Sequence, residues 1–386
     1  MSTLKVTNLQ HPSAASANVT LDSSGNAAFS GGITGVTSVN GGQLGARNAI
    51  INGAMNVNQR QLGTQTVNST IYTTDRWQAN QTAAGKYSVG NSTTAPSGFT
   101  NSFLATSLSA YSVSSTDIFF FQQNIEGYNS SHFGWGTSDA KSVVLSFYVR
   151  SSLTGTFGGC LANSAHNRSY PFSYTISSAN TWERVSVAIA GDTTGTWLTT
   201  TGIGIQVIFG LGGGSTRSGT AGSWQASTLY TATGAVSLVG TSGATLYITG
   251  VQLEVSDSGT ASDFEHESYG TTLQKCQRYY YQLTPGSGGT IYMVGGVEGA
   301  TGGALGGVSF PTVMRVNPTA TILGTNTTKI YTAATGTDDS ITIGGNRCST
   351  TTGSFEFSGL SGATPGQVAV LYNGGSTSGV SFDAEL

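Results

Sequence analysis

The stretch Val143–Ser152, VVLSFYVRSS, alternates apolar and mixed side chains along its length. Successive side chains of a β-strand point to opposite faces, so this pattern predicts a strand with one face in a core. The predicted core-facing side chains are Val143, Leu145, Phe147 and Val149. Thr245–Val255, TLYITGVQLEV, shows similar alternation. The two stretches together indicate an antiparallel sheet that is apolar on one side.

Turns rich in Gly, Ser, Thr and Asn separate further runs of this kind, which predicts a succession of strands. Up to residue 267 the predicted strands are Ala49–Asn58, Lys86–Val89, Ile118–Ile125, Ser142–Arg150, Thr156–Asn163, Ser169–Ile176, Trp182–Ile189, Gly204–Leu211 and Thr245–Val255. Those beyond residue 284 are Ile291–Val294, Gly307–Phe310, Ala320–Leu323, Lys329–Thr332, Ser340–Ile343, Ser354–Phe357, Val368–Tyr372 and Val380–Glu385. Strands without intervening helices favour antiparallel sandwiches over βαβ units.

The composition supports a folded, turn-rich β protein. The 386 residues include 55 glycines, and 9% are charged, against a usual charged share of about 25%. The 16 Phe, 16 Tyr and 5 Trp can bury enough area to form cores. A net charge of -3 without a basic stripe gives no reason to expect nucleic-acid binding.

Membrane insertion and cysteine chemistry are not expected either. The most apolar run, Gly202–Leu211, is far shorter than the roughly 20 residues that span a bilayer. No apolar signal core follows the first residues, so we expect synthesis in a cytoplasm. Cys160, Cys276 and Cys348 are odd in number and widely spaced, which predicts neither disulfides nor a metal pair. We expect no cofactor.

The stretch Asn48–Trp77, NAIINGAMNVNQRQLGTQTVNSTIYTTDRW, ends in two opposite charges beside a large aromatic residue. It is followed in order by VVLSFYVRSS, TFGGCLANSAHNRSYPFSYTIS, TWERVSVAIAGDTTGTW and ATLYITGVQLEV. This series resembles the jelly-roll β-sandwich of tail fibres from tailed bacteriophages, especially cyanophages, and of related carbohydrate-binding modules. STLKVTNLQ through DSSGNAAFSG resembles the virion-attachment ends of cyanophage appendage proteins. FPTVMRVNPTATI, Phe310–Ile322, resembles terminal domains of other phage fibres.

The resemblance and the strand pattern together predict an all-β protein in four parts. Residues 1–45 are predicted to be an extended or hairpin virion-attachment segment, and residues 46–268 a jelly-roll-like sandwich. Residues 269–284 are predicted to form a short helical connector, because Leu273, Cys276, Gln277 and Tyr280 have helical spacing. Residues 285–386 are predicted to be a C-terminal β domain and the candidate receptor-binding tip.

The N-terminal segment is predicted to be a hairpin with one thin apolar face. Its apolar positions are Leu4, Val6, Val19, Leu21, Ala27 and Phe29. A lone two-stranded hairpin is marginally stable in water. We therefore expect this face to pair with copies from other chains or with a partner protein.

Aromatic residues in polar turns are the candidate binding residues. Sugar rings stack on aromatic faces, and their hydroxyls pair with polar side chains. The candidates for glycan or receptor contact are Trp135, Trp197, Trp224, Tyr292, Tyr331 and Tyr372. The alternative for the three loop tryptophans is packing between subunits or domains. Trp77 and Trp182 are flanked by charges at strand ends, and we expect them to be buried.

Catalytic and metal-binding patterns are weak. The sequence lacks a G-x-S-x-G elbow, and no histidine has Ser and Asp partners at a recognisable spacing. His266 lies between Glu265 and Glu267, but neighbouring strand residues face opposite ways, which disfavours a metal site. We expect no enzyme, although carboxylate pairs for glycoside cleavage depend on spatial distance.

The resemblance implies a homotrimeric virion tail fibre. Its N-terminal segment would dock onto a phage tail, adaptor or baseplate protein, and the fibre would bind host surface polysaccharide or lipopolysaccharide for adsorption. Two alternatives stay open: a structural collar or baseplate spacer without receptor contact, and a polysaccharide-cleaving tail appendage.

Overall fold

A computed structural model describes most of the chain. It covers residues 6–17, 19–21, 23, 27–29, 38–39, 42–43, 45–283, 293–298, 303–323, 328–332, 335–337, 342–358, 368–373 and 379–386. The strands before the sandwich are β1 Asn8–Leu9, β2 Val19–Leu21, β3 Ala27–Phe29, β4 Ser38–Val39 and β5 Gly42–Gln43.

The central part of the chain contains fourteen described strands and short helical turns. The strands are β6 Gln65–Thr66, β7 Ile71–Thr74, β8 Trp77–Gln81, β9 Tyr87–Ser92, β10 Ser102–Ser107, β11 Ile118–Glu126, β12 Val143–Ser151, β13 Gly155–Ala162, β14 Ser169–Ile176, β15 Glu183–Ile189, β16 Ile203–Gly213, β17 Ser218–Gly219, β18 Thr231–Ala232 and β19 Thr245–Val255. The helical turns are α1 Gly127–Ser130 and the 3-10 turns Ser131–Phe133 and Leu238–Gly240.

The rest of the chain begins with a helix and continues in strands. The helix is α2 Tyr269–Gln277. The strands are β20 Tyr280–Leu283, β21 Met293–Glu298, β22 Gly303–Ser309, β23 Thr319–Leu323, β24 Thr328–Thr332, β25 Thr335–Thr337, β26 Thr342–Asn346, β27 Thr352–Ser358, β28 Val368–Asn373 and β29 Gly379–Asp383. Neither described helix has the length and apolar character needed to cross a membrane.

Two six-stranded antiparallel sheets form the central sandwich. The first sheet has the order β15-β12-β19-β10-β9-β6, and the second has the order β14-β13-β16-β11-β8-β7. The chain crosses between the sheets from β10 to β11, from β11 to β12 and from β12 to β13, as in a jelly roll. The protein is therefore all-β, with a central antiparallel sandwich as the sequence predicted.

The alternating apolar side chains of β12 form part of the sandwich core. All four side chains that the sequence assigned to the core face are fully buried: Val143, Leu145, Phe147 and Val149. Across the core, the ring of Phe121 stacks on Phe103 and Phe209 with centroid distances of 4.4 and 5.1 Å. Trp77 is fully buried, as expected, and its indole N–H donates to the Asn52 carbonyl at 3.1 Å.

The predicted strand Ala49–Asn58 is wrong, because this segment forms turns. Asn52 and Met55 have φ angles of 58° and 59°, in the left-handed region that interrupts a strand. The Asn52 side chain accepts a hydrogen bond from Val57 N and donates to Val57 O at 3.0 and 2.9 Å. The backbone of Val57 is therefore hydrogen-bonded to the Asn52 side chain and not to a neighbouring strand.

The N-terminal hairpin exists and gains a third strand. β2 pairs with β3 and also with β1, giving a three-stranded antiparallel sheet. Val6, Leu9 and Leu21 are 36%, 49% and 37% exposed. Leu4 lies outside the described residues. The described part of this sheet therefore presents apolar side chains to solvent, as predicted from its thin apolar face.

The predicted short helix is present as α2. Ser268 caps it by accepting a hydrogen bond from Thr271 N at 3.3 Å. β20 follows directly and joins a three-stranded sheet with the order β20-β29-β23. The remaining C-terminal strands form a seven-stranded sheet with the order β25-β24-β28-β21-β22-β27-β26.

The chain enters and leaves the sandwich at the same end. Where it enters, the backbone N–H groups of Arg47 and Asn48 donate to Glu265 Oε2 at 2.8 and 3.0 Å. Glu265 lies just before α2, which leads to the C-terminal strands. The N-terminal segment and the C-terminal unit therefore attach side by side.

Candidate functional site

The three loop tryptophans lie together in one cluster. Trp135, Trp197 and Trp224 pack edge to face, with ring centroids 4.8, 5.2 and 5.3 Å apart. Such pairs are worth about 0.5–1.5 kcal/mol beyond their buried area. The cluster ties three separate loops to the sandwich core.

Each indole N–H of the cluster already donates to a main-chain oxygen. Trp135 donates to Lys141 O at 2.9 Å, Trp197 to Thr194 O at 3.1 Å and Trp224 to Ala190 O at 2.8 Å. Trp135 is only 6% exposed and offers no ring face to a ligand, whereas the other two are half-buried. Packing within the sandwich is the role these contacts support, and ligand contact at Trp197 and Trp224 stays a prediction.

A partly buried ion pair holds the loop that carries Trp197. Arg168 Nε and Nη2 donate to the two Asp192 carboxylate oxygens at 2.8 and 2.6 Å. Burial alone would raise the pKa of Asp192, but the hydrogen bonds from Arg168 and Thr194 outweigh it and lower that pKa. The carboxylate is therefore ionised at neutral pH, and bidentate pairing fixes the loop.

The tyrosine candidates of the C-terminal unit are described less fully. Tyr292 lies outside the described residues. Tyr331 is in β24 and Tyr372 is in β28, and these two strands pair antiparallel. The side chains of both tyrosines lie outside the described set, so contact with a receptor stays a prediction.

The outer face of the second sheet is largely covered. Phe120, Cys160 and Ile208 on this face pack with Leu229 of the loop around β18. Further along, Tyr72 Oη and Asn124 Nδ2 donate to the main-chain oxygen of Leu386 at 3.0 and 2.9 Å. This face is thus occupied by the chain's own segments.

Asp75 and Arg76 are the two opposite charges near the end of the Asn48–Trp77 stretch. Both are buried where the sandwich meets β20 and β29. Arg76 forms an ion pair with Glu385 and lies 3.6 Å from the ring centroid of Tyr279. The Asp75 carboxylate accepts hydrogen bonds from Gln59 N and Gln59 Nε2. The two charges join the sandwich to the C-terminal unit.

A groove of about 460 Å³ opens between the α1 turn and α2. Its lining consists of Ala46, Asn48, Ala49, Ile51, Tyr128, Asn129, Ser131, His132, Lys275 and Arg278. Tyr128 is 58% exposed, and its hydroxyl makes no hydrogen bond within the described residues. The groove therefore combines an open aromatic ring with amide and hydroxyl groups.

The charges of the groove are balanced. Arg278 Nε and Nη2 donate to Glu126 at 2.9 and 2.6 Å, and Lys275 pairs with Glu267. Partial loss of solvent, together with the nearby Lys141, lowers the pKa of His132, so its imidazole is neutral at pH 7. The groove is therefore polar without a net charge of its own.

The position of Tyr128 depends on the end of β11. Gly127 lies against Leu198 and Thr200, where a side chain would clash with the backbone. Gly127 N donates to Gly202 O and Tyr128 N to Thr200 O, at 2.9 and 3.1 Å. The loop between β15 and β16 is thus hydrogen-bonded to the α1 turn, and the Tyr128 side chain points outward from that turn.

Tyr128 was not among the binding candidates predicted from the sequence, although its neighbouring residues indicated an exposed aromatic ring. It lies in the polar stretch EGYNSS, where an aromatic residue has few apolar neighbours along the chain. The same criterion selected Trp135, and only the tertiary structure separates the buried ring from the exposed one. Within the described residues, no three His, Cys, Asp or Glu side chains converge to hold a metal ion.

Comparison of the sequence with models of known protein families and with curated proteins finds no match. Among solved structures, the enzymatically active domain of tailspike protein 4 from bacteriophage CBA120 is 13% identical, with a TM-score of 0.32 over 54% of this chain and 21% of that chain. A putative sugar binding protein from Bacteroides thetaiotaomicron is 12% identical, with a TM-score of 0.32 over 54% of this chain and 100% of that chain. A family 11 carbohydrate-binding module from Clostridium thermocellum, in complex with a mixed-linked tetrasaccharide, is 10% identical, with a TM-score of 0.27 over 53% and 99%. The chain spans about a fifth of the length of the matched tailspike.

Proposed function

We propose that this protein is a tail fibre in the virion of a tailed bacteriophage and binds host cell-surface glycan without cleaving it. The sequence resemblance of residues 46–268 to phage fibre sandwiches supports the assignment. The N-terminal segment would dock onto a phage tail, adaptor or baseplate protein. In this proposal the groove between the α1 turn and α2 binds glycan, close to where the N-terminal segment joins the sandwich.

The observation that carries glycan binding is the exposed Tyr128 ring in an electrically balanced polar groove. A sugar presents C–H faces to an aromatic ring and hydroxyls to neighbouring amides. Asn129 and Ser131 supply such groups beside the ring. A groove of this size accommodates one or two sugar units, and repeated copies on a virion would raise the overall avidity.

Replacing Tyr128 with alanine is expected to weaken glycan binding by about tenfold, because the stacking surface is lost. The measurement is biolayer interferometry of the full chain on immobilised cyanobacterial envelope polysaccharides. The matched control is Tyr269→Ala, because Tyr269 has the same 58% exposure but lies outside the groove. Equal binding by the two variants and the native chain would refute the groove assignment.

Trimer formation is part of the proposal. The β1-β2-β3 sheet leaves Val6, Leu9 and Leu21 open to solvent, and a second and third copy could cover them. We expect multi-angle light scattering of the full chain to give three times the mass of one chain. A stable monomer at micromolar concentration would rule the trimer out.

A further inference from the structure

A row of half-buried aromatic side chains crosses the outer face of the first sheet. It consists of Trp182, Tyr247, Tyr148, Phe99 and Phe264, and is called the aromatic row below. At one end Trp182 packs on Tyr247 with a centroid distance of 6.3 Å. At the other, Phe99 lies 5.3 Å from Tyr148 and 5.1 Å from Phe264.

The register between β12 and β19 brings Tyr148 and Tyr247 close together, which connects the two ends of the aromatic row. Tyr247 pairs with Arg150, and Tyr148 pairs with Thr249, so the two tyrosines are diagonal neighbours. Diagonal side chains on adjacent antiparallel strands lie about 7 Å apart. The rings therefore follow one another across the strands at spacings comparable to the repeat of a sugar chain.

Within the described residues, the polar atoms of the row lack hydrogen bonds, unlike the indole N–H groups of the other four tryptophans. Four of the five indole N–H groups donate to main-chain oxygens: those of Trp77, Trp135, Trp197 and Trp224. The Trp182 N–H makes no hydrogen bond within the described residues, and neither do the hydroxyls of Tyr148 and Tyr247. A hydroxyl-rich ligand could satisfy all three groups.

Arg150 adds a positive charge to the row. Its guanidinium lies 5.1 Å from the Tyr247 ring centroid, and Nε donates to Asn180 O at 2.9 Å. The two terminal nitrogens have no carboxylate partner among the described residues. The neighbouring Arg184, by contrast, pairs with Asp263 at 3.9 Å. An acidic group on a ligand would complement the charge of Arg150.

We propose that the aromatic row is a second binding surface, which takes an extended acidic polysaccharide with a carboxylate at Arg150. This inference rests on the proposed glycan-binding function and names the substrate class. Stacking on the rings holds the sugar units, while Trp182 and the two tyrosine hydroxyls pair with sugar hydroxyls. The groove at Tyr128 and the row lie on different elements, so each can be disabled alone.

The test measures binding of the full chain to polygalacturonate and to its fully methyl-esterified form, in which a methyl ester replaces each charged carboxylate on the same sugar backbone. The native protein is expected to bind the acidic chain more tightly. Trp182→Ala should weaken binding to both chains by about tenfold. Arg150→Gln should remove only the preference for the acidic chain, whereas the control Arg184→Gln should keep it.

Native-like binding of both chains by Trp182→Ala and Arg150→Gln would overturn the inference, as would binding of neither chain by the native protein. The two proposals can fail separately on envelope polysaccharide. If Tyr128→Ala loses binding there and Trp182→Ala retains it, the groove stands and the row is refuted. The opposite result would keep the row and refute the groove. Thermal unfolding of each variant confirms that the fold is intact.

Discussion

Arg76→Met is expected to lower the free energy of unfolding by about 3–5 kcal/mol. The substitution removes one of the two arginine partners of the buried Glu385, leaving Arg60 at 3.4 Å, and removes the Arg76 hydrogen bond to Asn124 O. Burial would lower the pKa of Arg76, but the carboxylate of Glu385 together with Tyr279, Tyr72 and Cys276 outweighs it and raises that pKa. The guanidinium is therefore charged at neutral pH.

Urea unfolding of the full chain measures this effect. Arg184→Met is the matched control, because its ion pair with the exposed Asp263 lies at the surface and should change stability by less than about 1 kcal/mol. The double variant Arg76→Met, Glu385→Leu should recover part of the loss, because no unpaired charge is left. A loss at Arg76 no larger than that at Arg184 would contradict the role of the buried pair.

Trp135→Ala is expected to destabilise the sandwich by about 3–5 kcal/mol. The ring is buried, packs on two further tryptophans and fills the space under three loops. Its removal leaves a cavity beside the loop that the Arg168–Asp192 ion pair holds in place. The midpoint of thermal unfolding, followed by tryptophan fluorescence, reports the change.

Trp182→Ala is the control for this second prediction, because Trp182 is half-buried and lies outside the core cluster. We expect its stability loss to be less than half that of Trp135→Ala. Folded Trp135→Ala protein at low temperature should keep its affinity for envelope polysaccharide. A large loss of affinity with unchanged stability would instead make Trp135 a ligand contact.

Strand positions could be predicted where the chain alternates over long runs. β12, β14 and β19 match the sequence prediction within a residue, because their inward positions are uniformly apolar. The strands β6, β7, β8 and β10 were missed, since they are short and carry Thr, Gln and Asn. The prediction of Ala49–Asn58 failed for the opposite reason, because apolar alternation there coincides with asparagine-stabilised turns.

Binding residues were harder to predict than strands. The sequence shows that Trp135 and Tyr128 are both aromatic residues in polar turns, but not which backbone oxygen is available to an indole N–H. Trp182 was expected to be buried next to Glu183, yet it is half-buried, and its N–H makes no hydrogen bond in the described part of the chain. The Glu183 carboxylate instead accepts from Ser177 N and Ser178 N. These differences depend on loop packing that no local pattern records.

The side-by-side attachment of the two flanking segments affects how a fibre would carry mechanical load. Tension between the two ends of the molecule would pass through the contacts of Arg47 and Asn48 with Glu265. β19 of the first sheet would share that load, because the Asn48 side chain bonds to Val251 O and Leu253 N. In the proposed fibre, the other strands of the sandwich would hang beside the line of strain and stay unstretched while the two flanking segments are pulled.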